Sequence, residues 1–173
     1  MNPMRERKAR RTRKRCRLPG DIVDPATRSR MMAGIRTKNT RPELAVRRTL
    51  HALGFRFRLH TRDLPGKPDI VLPKWKAAIF VHGCFWHGHD CPLFKLPSTR
   101  REFWSGKIGR NIEHDREVIE KLTSLGWRVL TIWECSLKGK EKLGVQMVAN
   151  LTDNWLREGR GDMEIRGMAN ADR

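Results

Sequence analysis

The sequence predicts an α/β or α+β domain in which a mixed β-sheet is flanked by helices. Three observations carry this. Apolar residues recur at helical spacing behind N-terminal caps. Residues 77–81 are apolar throughout, as a central strand would be. After a short N-terminal helix, the elements follow in the order helix, three strands, helix, strand, helix, and no internal repeat interrupts them. At 173 residues the chain holds one such domain plus tails.

Asp24-Pro25 opens the first helix, with Asp24 as N-cap and Pro25 at the first helical position. Its large apolar residues are Met31, Met32 and Ile35, too few for strong packing. Thr40-Arg41-Pro42-Glu43 matches a capping box; Leu44, Val46, Leu50 and Leu53 then form an apolar face, and Gly54 ends the helix. Glu43 therefore has a structural job before any chemical one. Phe55–His60 alternates strictly and predicts a half-buried strand. A turn over Leu64–Pro68 leads to the strand Asp69–Leu72, and Ala77–Val81 follows. Thr99 to Glu102 offers a second capping box for a helix running from Trp104 to Leu125, closed by Gly126. Trp127–Trp133 is a β-prone strand ending at Glu134-Cys135. Leu143, Met147, Leu151 and Trp155 mark a last helix, and the polar chain beyond Leu156 reads as a frayed tail. The expected organisation is thus a basic arm over 1–20, a domain over 21–156 and a polar tail over 157–173.

Lys and Arg number 37 against 19 acids, a net charge of +18. Such an excess points to a polyanion, and nucleic acid is the default because no apolar run approaches a membrane span. The first 20 residues carry nine bases and one acid, and the rest keeps +10 from 28 bases and 18 acids. The arm lacks the apolar centre of a secretory signal and reads as disordered, with non-specific phosphate contact or no role. The weakly packed first helix could lie against DNA or dock on the core. Without a secretory signal, a cytoplasmic location is expected, and the four cysteines suit metal binding better than disulfides. Cys16, in the arm, is a bystander.

Chemistry concentrates in Val81–Cys91, which holds three of the six histidines and two of the four cysteines. Cys84-x4-His89-x-Cys91 offers three ligands, and Cys135, after a strand, can supply the fourth. A Cys3His set suits tetrahedral structural zinc. The alternative is a buried thiol at Cys135 beside two idle ones. Asp69, at the start of a strand, can bind a hard cation such as Mg²⁺. If its strand and the next pair as a hairpin, Asp69 and His82 share one edge of the sheet. Phosphodiester hydrolysis needs a base for water, charge stabilisation and a protonated leaving oxygen. Asp69 with Mg²⁺, His82 and His87 meet those needs. Phe85-Trp86, on a loop that cannot easily bury both rings, suggests stacking on bases. A wedge of this kind biases binding toward mispaired DNA, where unstacking costs less. His51, His60 and His114 receive no role.

Taken together, Leu64–Asp69, Phe80–His87, Cys91, Glu102-Phe103-Trp104, Gly126–Leu130 and Trp133-Glu134-Cys135 closely resemble the very short patch repair endonucleases. Ala26-Thr27-Arg28-Ser29 with Met32 matches that family's N-terminal segment, and the likeness runs over residues 22 to 156. The resemblance implies a restriction endonuclease-like fold of the PD-(D/E)XK type. It also implies a Mg²⁺-dependent enzyme that nicks double-stranded DNA 5′ to the thymine of a T·G mismatch, the product of 5-methylcytosine deamination. By matching position, Asp69 and the backbone carbonyl of Val81 would hold Mg²⁺, and His87 would be the general base. His82 would assist at the phosphate and Glu43 would support the water and base network. Cys84, His89, Cys91 and Cys135 would hold structural Zn²⁺. Phe85, Trp86 and Trp104 would enter from the major groove and Met32 from the minor groove, with Lys107 and Asn111 at the mispair. The implied protein is a monomer working with other mismatch repair proteins.

Two departures matter. Val81 stands where Thr is expected in the family, which spares the metal site if only the main-chain oxygen is used. Gly88 and Asp90 stand where the family can carry further histidines. The competing readings are a zinc-stabilised DNA-binding module without catalysis and a nuclease acting on other DNA.

Overall fold

The computed structural model describes residues 23–34, 38–59 and 61–168; the basic arm over 1–20 and His60 lie outside them. Two compact units result, Met1–Ile35 and Arg36–Arg173. In the first, helix α1 spans Pro25–Ala33 and starts as its sequence predicts. Asp24 Oδ1 accepts the N–H groups of Ala26 and Thr27 at 2.9 and 3.0 Å. Met31 and Met32 are exposed on it.

The second unit begins with α2, Arg41–Ala52. Its cap is a variant of the expected box: the Glu43 N–H reaches Thr40 Oγ1, and the Glu43 carboxylate accepts the Thr40 hydroxyl and the Asn39 N–H. Four strands form one sheet in the order β1 (Ile70–Leu72), β2 (Ala77–His82), β3 (Arg128–Trp133), β4 (Met163–Ile165). β1 is antiparallel to β2, and the other neighbours are parallel. The crossover from β2 to β3 is α3, Arg101–Ser124, which packs on one face against Ala78, Phe80 and Val129 through Val118 and Leu122. α2 and α5 (Val145–Arg157) cover the other face, burying Val46, Leu50, Val148 and Trp155 against Ile79, Leu130 and Ile132. Side-chain alternation along β2 thus sends His82 toward α3 and Val81 toward α2 and α5. The start of β1 and the ends of β2, β3 and β4 meet at one edge of the sheet. No helix among the described residues is long and apolar enough to cross a membrane.

Several expectations are corrected. Phe55–Leu59, the described part of the expected strand Phe55–His60, is not a strand. Phe55 and Phe57 do turn inward, but among the described residues the ladder contact is the Arg58–Val71 bridge. Arg58 and Val71 exchange both backbone hydrogen bonds, at 2.8 and 2.9 Å, and the pairing goes no further. β1 sits at the edge of the four-stranded sheet. The second capping box does not form either, since α3 starts behind Arg100, which adopts φ 53° and gives no side-chain cap.

The largest correction concerns residues 157–168, which are built into the fold rather than frayed; 169–173 lie outside the described residues. Arg128 donates to the carbonyls of Trp155, Leu156 and Gly159 and caps α5. Asp162 Oδ1 accepts the Val129 N–H at 2.7 Å, and Ile165, 2% exposed, pairs with Ile132. Three residues of β4 give too short an alternation to read from sequence. Ile165→Ala is expected to cost about 2–4 kcal/mol in denaturant unfolding, as core truncations do; a loss under about 0.5 kcal/mol would mean that β4 is not part of the core.

Candidate functional site

Asp69 is delivered to the sheet edge by a tight turn. Gly66 adopts φ +69° and lies so close to α3 that a Cβ there would come within 2.3 Å of Val118. Asp69 Oδ2 accepts the Val81 N–H at 2.8 Å, tying the start of β1 to the end of β2. Burial pushes the carboxyl up to about 6, and Glu43 adds to the rise against the Val81 N–H, Arg47 and His87, which lower it. Arg47 links this centre to α2. Its Nη2 bonds Glu43 Oε2 at 2.8 Å and reaches the Asp69 carbonyl at 3.4 Å, and Nη1 bonds Asn39 Oδ1 at 2.6 Å. Glu43 is itself buried, with Oε1 taken by Thr40 and Oε2 by Arg47 and the Asn39 N–H. It acts on Asp69 through charge and through Arg47.

His82 and His87 stack face to face, with ring centroids 3.8 Å apart and planes 4° apart. Burial, with His87 beside it, lowers the His82 pKa to about 3, so His82 is a neutral imidazole at working pH. His87 Nδ1 meets the Oδ2 of Asp115, on the second half of α3, at 2.5 Å. Asp115 carries no signal in the sequence, being one charge among many on a long helix. With Nδ1 held by the carboxylate, Nε2 is left as the basic nitrogen. The donor atoms of His82, His87 and Asp115 lie within 4.8 Å of one another.

Cys84, His89, Cys91 and Cys135 form a second cluster, their donor atoms also within 4.8 Å of one another. Cys84 and His89 come from the loop after β2, and Cys135 from the single-turn helix α4, Glu134–Leu137. The residues fit a tetrahedral ion. Bonds of about 2.3 Å to sulfur and 2.05 Å to nitrogen require an S···N edge of about 3.6 Å, and Cys135 Sγ stands 3.6 Å from His89 Nδ1. Burial raises the Cys84 and Cys135 thiols, so a cation is needed to hold them as thiolates. The cluster can hold a metal such as zinc. Trp133 stacks on His89 at 4.1 Å and meets His82 edge-on at 5.4 Å, placing one ring between the two clusters.

On the α3 side of the loop, Phe85, Trp86 and Trp104 form a half-buried aromatic cluster with centroids 5.1 to 6.0 Å apart. Lys107 Nζ lies over both the Trp86 and Trp104 rings, and Asn111 Nδ2 donates to the Trp86 carbonyl at 2.8 Å. Gly88, at φ +60°, lets the loop approach α3: a Cβ would meet Ile112 at 2.7 Å and Ile108 at 2.8 Å.

Comparison with known proteins agrees with this geometry. The family model for the DNA mismatch endonuclease Vsr matches residues 20–93. The DNA mismatch endonuclease Vsr of Escherichia coli K12 is 47% identical over 136 residues, which cover 79% of this chain and 87% of that protein. The chain belongs to the Vsr DNA mismatch endonuclease family. Two further relatives are described as type II nicking enzymes. One, from Xanthomonas oryzae, is 50% identical over 68% of this chain and 86% of its own length; the other, from Neisseria meningitidis, is 43% identical over 69% and 86%. As a member of this family the protein is an endonuclease.

The sheet edge therefore gathers Asp69, Val81, His82 and His87, with Glu43 behind them; the four Cys and His ligands and the three aromatics lie on either side. Met32 stands in the first unit, on α1. Sequence reasoning missed Asp115 and Arg47. It also missed Gly167, whose N–H donates to Cys135 Sγ at 3.3 Å and which has no room for a Cβ between the Cys135 and Glu141 carbonyls, 2.9 Å away.

Proposed function

We propose that this protein nicks double-stranded DNA 5′ to the thymine of a T·G mismatch by Mg²⁺-dependent hydrolysis, on a restriction endonuclease-like fold of the PD-(D/E)XK type. The observation that carries the reading is the convergence of Asp69, His82 and His87 at one sheet edge, beside an exposed-edge aromatic cluster, in a chain of net charge +18.

Asp69 Oδ1 and the main-chain oxygen of Val81 would hold the cation, Oδ2 being committed to the Val81 N–H. Bound Mg²⁺ supplies positive charge to offset that developing on the phosphoryl oxygens. His87 Nε2 takes a proton from water as its oxygen adds to phosphorus, and the bond to the leaving oxygen breaks, that oxygen taking up a proton from solvent. Asp115 fixes the tautomer and stabilises the imidazolium that results. His82, neutral in the free protein, offers a hydrogen bond to the phosphate rather than a charge. Glu43 and Arg47 hold Asp69 in place. Zn²⁺ held by Cys84, His89, Cys91 and Cys135 would fix the loop that carries His87 and the wedge directly after His82 at the end of β2.

Phe85, Trp86 and Trp104 enter at the mispair from the major groove, with Met32 from the minor groove. Lys107 and Asn111 brace the wedge before they meet the bases, since both contact it in the free protein.

The deciding experiment incubates the protein with T·G, other mismatched and matched duplexes with Mg²⁺ and maps the products. One nick beside the thymine, confined to T·G, is expected. Equal rates on matched duplex would replace this reading with a nuclease of broader substrate, and binding without cleavage would replace it with a DNA-binding module. Asp115→Asn is expected to lower kcat at least about 100-fold with KM nearly unchanged, because it leaves His87 in the wrong tautomer. A loss expressed only in KM would assign Asp115 to binding.

A further inference from the structure

A cleft of about 910 Å³ opens over the Cys and His cluster, with His89, Cys91 and Cys135 in its lining. One wall is the loop Pro92–Lys95, the other the turn Lys138–Glu141, with Arg166 at its end. Four cations line it, Lys95, Lys138, Lys140 and Arg166, against two acids, Asp90 and Glu141. Lys138 is paired with Glu134 at 3.3 Å, and Arg166 is anchored on the Asp90 carbonyl at 2.7 Å. Lys95 and Lys140 are exposed and make no ion pair among the described residues. The backbone of the cleft is rigid: Gly139, at φ +97°, packs on Leu93, and Gly167 is wedged against Cys135.

Its place in the fold indicates the occupant. Cys135, Arg166 and Gly167 follow the ends of β3 and β4, the sheet edge at which β1 starts and β2 ends with Asp69 and His82. Neighbouring strands lie roughly 4.8 Å apart, so the cleft stands about 10–15 Å along that edge from the Asp69 centre. At about 3.4 Å of axial rise per nucleotide this is three or four steps, with the helix axis running along the edge. The exposed lysines are flexible point charges, suited to a row of phosphates.

We propose that this cleft holds the phosphodiester backbone of the DNA flanking the nick, three or four nucleotides away, so that the metal loop supports a backbone contact as well as the reacting residues. This rests on the endonuclease reading, in that it takes DNA to cross the sheet edge at Asp69. The contact is with phosphates and carries no base preference.

The test uses the full chain and the double variant K95Q/K140Q, with metal content measured on both. Affinity is read by fluorescence anisotropy without Mg²⁺, between about 50 and 200 mM salt, on a long T·G duplex, a long matched duplex, and two T·G duplexes each shortened to two base pairs beyond the nick on one side. The variant is expected to bind both long duplexes roughly tenfold more weakly, with a salt slope smaller by about two. On the duplex shortened on the cleft side, variant and parent should bind alike. Parent-like affinity on every duplex would overturn the proposal and leave the cleft to an acidic protein segment. An equal loss on all four duplexes would overturn it too, by reducing the lysines to general attraction. If the parent shows no mismatch preference and no nicking, the proposed function fails while the length dependence still decides this one.

Discussion

Asp69→Asn is expected to abolish nicking and, in the same protein, to raise the melting temperature of the metal-free form at pH 8. The two outcomes share one cause. The Asp69 carboxyl is raised from the usual 3.8 to about 6, first because burial strips its water and then because Glu43 faces it. In the unfolded chain it ionises near 3.8, so between about pH 4 and 6 the unfolded chain sheds a proton that the folded protein keeps. Stability from this group is full below pH 4 and is lost as pH rises through 6, a cost of about 3 kcal/mol at pH 8. Asn retains an oxygen to accept the Val81 N–H at 2.8 Å and carries no charge to desolvate. The variant should therefore gain a few degrees at pH 8 and nothing at pH 4. Mg²⁺ should raise the melting temperature of the parent and not of the variant, because only the carboxylate gains by binding it. A variant less stable at pH 8 would show that the carboxylate is held by favourable contacts rather than strained by burial. Residual cleavage near the parent rate would remove Asp69 from the reaction.

The placement of Asp69 at the edge it shares with His82 was legible in the sequence, and that of Asp115 and Arg47 was not. A Pro-Asp step opening a strand, with a His at the end of the next, is a local pattern, and a hairpin turns it into a shared edge. The β1–β2 pairing supplies that hairpin, with Ile70 opposite Ile79. The ligand quartet was legible for a related reason: three of its members lie within eight residues, and the fourth follows a strand in register with β2. Asp115 had no such mark. It stands 28 residues from His87 in a helix dense with charge, and only the packing of α3 on the sheet selects it. Arg47 is likewise one base among many until α2 docks and its guanidinium meets Glu43 and Asp69. Phe55–His60 misled because alternation reports which side is buried, and burial here comes from packing on Trp75 and the core, with the Arg58–Val71 bridge in place of a ladder. The polar chain after Leu156 misled in the opposite sense. Asp162 and Arg128 act on backbone groups and Gly167 acts through its own N–H, and such contacts leave no hydrophobic pattern.

Cys135→Ala is expected to reduce bound zinc well below one equivalent, to lower the melting temperature by roughly 10 °C, and to cut nicking sharply. A structural ion held by four ligands contributes to folding directly, and losing one ligand costs about 3–5 kcal/mol. Catalysis should follow stability because Cys84 and His89 flank His87 in sequence, and because Trp133 bridges His89 to His82. Cys135 has a second job, since its Sγ accepts the Gly167 N–H at 3.3 Å and so helps to seat the chain after β4. Cys91→Ala separates the two effects, as Cys91 shares the cluster and has no contact with Gly167 among those described. If the metal dominates, both variants lose zinc and stability together, and a strong chelator destabilises the parent while leaving both variants unchanged. If Cys135→Ala loses stability but keeps a full equivalent of zinc, the four-ligand set is wrong and the thiol serves the Gly167 contact alone. Zinc at the parent level in both variants would remove the ion from this cluster altogether, and the loop holding His82 and His87 would then owe its shape to Gly88 packed on α3 and to Trp133.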